Sequence, residues 1–213
     1  MDARLRPRGN EGELVVTAAE LQSYCAQEAL AWEALTFTKL RPIAGSPGTA
    51  AQAGDAARIL HERFAGRDEF TEAVRDMRLR LQHTEPTEAN FKTSPGAVYD
   101  IDFLVCYLGI RHQLGGLCGN LRQRLRRLRE RELLAAADHA ALDKAAELFR
   151  TVEHVVRLVV GKGRKSLPAT EHGRAATEHL SARLLRREFE GGLEADLTRT
   201  FAEVRAIYDR VVR

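Results

Sequence analysis

The chain has 213 residues, long enough for one large domain or two small ones with a real core. Hydrophobic residues at 44% and charged residues at 30% exclude a disordered chain, and no apolar run reaches membrane-spanning length. A formal charge of +3 is too small to signal nucleic acid by itself.

Aromatics at 6%, with abundant Ala, Leu, Arg and Glu, favour helix over sheet. Cys25, Cys106 and Cys118 lack metal-ligand spacing, and their odd number argues against a disulfide framework. A reducing cytoplasm is expected, without a signal peptide or a membrane partner.

The opening "DARLRPRGNEGELVVT" reads as a β-hairpin, with a turn over Gly9 to Gly12 and "ELVVT" as its second strand. Strand geometry puts Asp2, Arg4 and Arg6 on one face. One carboxylate beside two guanidiniums suits a divalent metal with a polyphosphate, or else a solvated face with local ion pairs. A lone hairpin is marginal in water, so residues 1–17 are expected to be the remnant of a larger sheet, and residues 18–213 a helical domain.

From Thr17 the pattern is helical. Thr17 and Glu20 form a capping box, and the first helix is predicted to run to Leu40. Further helices are predicted over Thr49 to Phe64 and Glu69 to Gln82. "KTSPG" then leads into an apolar helix from Asp100 to about Gln113. An arginine-rich helix follows from about Asn120 to Leu134, and a long one from Asp138 to Val160. Two more cover roughly Thr170 to Glu190 and Leu193 to Val212. The fold class is therefore all-α, a helical bundle with a short N-terminal hairpin.

Two places invite chemistry. Asp100 and Asp102 stand at the start of the apolar helix, where negative charge meets the orphan N–H groups. Side chains two positions apart point about 200° from each other, so one cap cannot use both. Asp100 is read as the N-cap, and Asp102 must face something else. In the long helix, Glu153 lies within the stripe of Leu142, Ala145, Ala146, Phe149, Val152, Val156 and Val159. It is expected to be buried and paired with Arg157, or with Arg150 as the alternative.

Other signals are weaker. "GKGRKS" lacks P-loop spacing and reads as a solvated basic turn. "LRQRLRRLRERE" has no interleaved aromatics and reads as an exposed helix face, so no nucleic-acid partner is expected.

The segments "DARLRPRGNEGELV", "WEALTFTKLRPIAG", "VRDMRLRL", "KTSPGAVYDIDFLV" and "FRTVEHVVRLV" occur in an order and spacing that resembles glutamine synthetase adenylyltransferase. The resemblance spans residues 2 to about 160. It implies the end of a nucleotidyltransferase domain followed by a helical domain. It also implies movement of AMP from ATP to a tyrosine of glutamine synthetase, or its removal by phosphorolysis, under control of the PII signal protein. Asp2 matches one of three carboxylates that hold magnesium, and Arg4 and Arg6 match nucleotide-contacting arginines.

Motif order and helix geometry together lead to the expectation that Asp100 and Asp102 orient arginines or nucleotide-contacting groups, with Lys92 as a phosphate contact; Glu153 and Arg157 are further candidates to support the site. The Gly-Ser…Asp-x-Asp segment that would supply the other two carboxylates does not occur in this sequence. Magnesium and ATP are therefore expected in a full-length enzyme with an upstream nucleotidyltransferase domain. None is expected on this chain alone, which is expected to be inactive. The sequence departs from the family pattern at Thr36, Lys39, Asp102 and Cys106, where Ala, Arg, Glu and Gln are usual. The alternative is a non-catalytic helical module that docks a partner protein.

Overall fold

A computed structural model describes residues 6–83, 90–115 and 119–213. Among these, every regular element is helical, and none is a strand. None of the described helices is long and apolar enough to cross a membrane. The chain divides into two compact units, one of Met1–Met77 with Val105–Asn120, the other of Arg78–Leu104 with Leu121–Arg213.

The predicted hairpin does not form over the described residues. Residues 13–17 have no regular structure, and Leu14 and Val15 are exposed. Before them, Gly9–Glu11 is a single 3-10 turn. The Arg6 guanidinium closes this segment by donating to Gly12 O at 3.0 Å and Asn10 O at 3.3 Å. Over residues 6–12 a side chain thus supplies the backbone partners that a neighbouring strand would. Asp2 and Arg4, in the first predicted strand, lie outside the described residues.

In the first unit, α1 (Ala18–Gln27) and α2 (Ala31–Phe37) pack on α3 (Pro47–Phe64). The Thr17 capping box starts α1 as expected, with Glu20 N donating to Thr17 Oγ1 and Thr17 N donating to Glu20 Oε2. The predicted continuous helix to Leu40 is broken after Gln27. Tyr24 O accepts from both Glu28 N and Ala29 N. Arg63 of α3 donates to Cys25 O and Ala29 O, at 3.2 and 3.0 Å. Glu33 then restarts the helix by accepting from Leu30 N at 2.7 Å. A distant arginine therefore satisfies the carbonyls that a helix end leaves open.

α4 (Asp68–His83) and α5 (Val98–Arg111) each contribute residues to both units. In the first unit, Phe64, Phe70 and Tyr107 stack with centroids 6.4 and 5.8 Å apart. Cys106 is buried there, its sulfur 3.2 Å from Thr38 Oγ1.

In the second unit, α6 (Leu121–Glu130), α8 (Glu171–Leu185) and α9 (Leu193–Val211) pack on the long α7 (Ala136–Val160). The buried face of α7 comprises Leu142, Ala145, Ala146, Leu148, Phe149, Val152, Val155 and Val156. Glu153 is not among them. It and Arg157 are both exposed, contrary to the expected buried pair. The flank of α7 that carries Leu142 and Ala146 is covered, yet one or two turns later the same flank is bare. The buried positions there are Val152, Val155 and Val156, which leave the side of Glu153 and Arg157 uncovered. A carboxylate on that flank stays in water without desolvation cost.

Candidate functional site

α5 begins at Val98, so Asp100 lies inside the first turn and is not the N-cap. Its carboxylate is fully buried, at 0% exposure. Asp100 accepts from Gly96 N at 2.7 Å and is bonded to the Nε of Arg78, itself only 1% exposed. Arg205 of α9 approaches the same carboxylate at 3.5 Å while also pairing with Asp209. Two guanidiniums thus face two carboxylates, and the node is charge-balanced. Burial pushes the Asp100 carboxyl above its ordinary value, while Arg78, the Gly96 N–H and Arg205 pull it the other way.

The node fixes the loop before α5. Arg78 Nη2 donates to Thr93 O at 3.0 Å and Ser94 O at 2.8 Å. Asn90, also fully buried, accepts through its side chain from Lys92 N at 2.9 Å and Thr93 N at 3.1 Å. Gly96 has a φ of +78°, and a Cβ there would stand 1.8 Å from Phe201 O. Only glycine fits where the loop runs against α9.

Asp102 points elsewhere, as its spacing requires. It bonds Arg124 of α6 at 3.1 Å, with side-chain exposures of 15% and 5%. Both aspartates therefore orient arginines. Neither offers an open carboxylate to a substrate. Lys92 and Pro95 are the exposed residues of this loop, and the Lys92 ammonium stands 5.4 Å above the Tyr99 ring. Arg6, in the other unit, is engaged with its own turn.

Arg78, Arg205, Arg124 and Asn90 were not singled out from the sequence. Arg78 falls within "VRDMRLRL", but nothing in that segment separates it from Arg75 and Arg80. Arg124 was hidden among the arginines of α6. The unmatched Asp102 was the one sign that such a partner existed.

Among the described residues, no group of three or more His, Cys, Asp or Glu side chains could hold a metal ion. Asp100 is enclosed by arginines, and Asp2 lies outside the described residues. A groove of about 670 Å³ runs along α7 and α9, but its buried Asp196 is already paired with Arg187 and Arg199. Among the described residues, the Arg78–Asp100 pair acts as a latch on a loop that presents Lys92.

Comparison with known proteins identifies the family. Residues 68–212 match the family model described as GlnD PII-uridylyltransferase, and residues 1–56 match that of glutamate-ammonia ligase adenylyltransferase. A bifunctional glutamine synthetase adenylyltransferase/adenylyl-removing enzyme of Streptomyces coelicolor is 32% identical over 164 residues, covering 74% of this chain and 16% of the relative. The enzyme of the same name from Caulobacter vibrioides is 28% identical over 218 residues, covering 100% of this chain and 22% of the relative. The one from Shewanella oneidensis is 33% identical over 112 residues, covering 51% and 12%. The matched part of the chain thus spans 12% to 22% of the length of these relatives. It belongs to the glutamine synthetase adenylyltransferase family, and its residues 68–212 share the PII-uridylyltransferase family model.

Proposed function

We propose that this chain is the helical module of a cytoplasmic enzyme that adenylylates, or deadenylylates, a tyrosine of glutamine synthetase. It works beside a nucleotidyltransferase domain that brings the remaining metal carboxylates, with the PII signal protein as regulator. The observation that carries this reading is the alignment of the whole chain within a bifunctional adenylyltransferase, together with the adenylyltransferase match of its first 56 residues.

The described residues contribute position, not bond-making. The Arg78–Asp100 node holds the Lys92 loop rigid, so that loop can meet a phosphate without ordering on contact. In this reading magnesium and ATP are bound by the catalytic domain, with Asp2 the one ligand from this chain. Magnesium there would neutralise phosphate charge.

The test mixes the 213-residue chain with glutamine synthetase, radiolabelled ATP and magnesium. Beside it runs a chimera of the Streptomyces coelicolor enzyme in which this chain replaces the matching segment. The chain alone should transfer no label, and the chimera should transfer it. Label transferred by the chain alone would show a complete site within it. A folded but inactive chimera would favour a module that only docks a partner, the reading that exposed Leu14, Val15 and Ile43 would then support.

A further inference from the structure

Two basic segments far apart in sequence are joined in the second unit. Phe91 N donates to Lys165 O at 2.7 Å, which ties the Lys92 loop to residues 161–166, "GKGRKS". Lys92, Lys162, Arg164 and Lys165 are all exposed. Arg157, one turn before the end of α7, lies along the same loop: a Cβ at Gly163 would stand 3.6 Å from its guanidinium. Five cations from three segments therefore gather at one end of α7.

Within the two basic segments themselves the sequence places no carboxylate. No Asp or Glu occurs between Glu153 and Glu171, nor between Asn90 and Tyr99, and Asp100 is consumed by its arginines. Among the described residues, Lys92, Arg157, Lys162 and Arg164 form no ion pair. The backbone N–H groups of Lys162, Gly163, Arg164 and Ser166 donate to no described residue either. The dipole of α7 favours cations at its C-terminus, but that reaches only the last turn and leaves Lys92 and Arg164 unexplained. The arginines of α6 differ, because Glu130, Glu132 and the carboxylates paired with Arg122 lie among them.

We propose that Lys92, Arg157, Lys162 and Arg164 form a binding site for an oligophosphate chain, either free or carried by a nucleoside. Ammonium, guanidinium and backbone N–H groups all donate to phosphate oxygens, and a glycine-flanked loop lets the backbone approach them. Lys92 enters pre-positioned, because Asn90 and Arg78 fix its loop. The site would exist whether or not the chain serves glutamine synthetase. A chimera that transfers label while the chain ignores tripolyphosphate would sink the site and leave the adenylyltransferase reading standing.

Isothermal titration of the chain with tripolyphosphate, ATP, AMP and a glutamate-rich peptide tests this. Tripolyphosphate should bind at a single site, weaken as salt rises, and exceed AMP by about tenfold or more. ATP binding tighter than tripolyphosphate supports a nucleoside-borne chain, and equal affinity supports the phosphate alone. The K92A/R164A variant should bind tripolyphosphate about tenfold more weakly, the loss of two charge-assisted contacts. The R126A/R129A variant on α6 should be unchanged. Three results overturn the proposal: no binding heat, equal losses in the two variants, or a peptide that binds as tightly as tripolyphosphate.

Discussion

Replacing Asp100 by Asn tests the physical core of the second unit. Both partners of the Arg78–Asp100 pair are sealed from water, at 1% and 0% exposure. Asparagine keeps an oxygen for the Gly96 N–H, but it removes the charge and turns an amide donor toward a guanidinium. Leaving one buried charge uncompensated costs about 3–5 kcal/mol. Against a typical stability of roughly 5–15 kcal/mol, that is about a fifth of the total or more. With a urea dependence of about 2 kcal/mol/M, the unfolding midpoint should fall by roughly 1.5–2.5 M. Circular dichroism in a urea series reads this directly. The Arg78→Met variant should fall comparably. The double variant, Arg78→Met with Asp100→Leu, should regain at least about half of the loss, because an apolar pair has no charge to strand. If D100N unfolds at the parent's midpoint, the carboxylate is not buried as an ion, and the latch account of the Lys92 loop fails with it.

Three further outcomes follow from single contacts. G96A should lower stability by roughly 2–4 kcal/mol, through a left-handed backbone and a clash with Phe201 O, whereas G54A in the open interior of α3 should stabilise by about 0.5–1 kcal/mol; thermal melts compare them. E153Q should change stability by less than about 0.5 kcal/mol in the same melts, and a larger loss would mean the side chain is engaged as the sequence suggested. Burial holds His61 below its ordinary value of 6.5, with its Nε2–H donating to Ala34 O at 3.2 Å. The unfolded chain takes up this proton first, so the stability His61 contributes is full above about pH 6.5 and is lost as pH falls below it. Urea midpoints at about pH 7.5 and about pH 5.5 should differ less in His61→Phe than in the parent.

Periodicity and end signals located most helices within a few residues. Ser46 caps α3 through Thr49 N, and Gly161 ends α7 in the left-handed conformation, both as local chemistry dictates. The break between α1 and α2 was not legible, because Arg63 that supports it sits 34 and 38 residues from the carbonyls it bonds. The divergence of Asp100 and Asp102 followed from helix geometry alone, but their partners did not. Arg78, Arg124 and Arg205 look in sequence like any solvated arginine, and only packing separates a buried one from its neighbours. Glu153 failed for a related reason. A helical wheel assumes one buried face along a whole helix, and α7 changes its coverage partway. Of the hairpin reading, the second strand falls on described residues 13–17, and there the apolar run Leu14-Val15-Val16 forms no regular element among the described residues.

The Arg78–Asp100 node also constrains how such a chain can drift. A lineage that alters either position alone passes through a crippled intermediate, since each side chain is tolerable only while the other remains. Glutamate at position 100 gives no easy exit, because its extra methylene must fit a carboxylate already held between Gly96 and Arg78. Arg205 and Asp209 are partly hydrated and can be exchanged one codon at a time. Across related chains, positions 78 and 100 should therefore change together or not at all, while 205 and 209 wander independently.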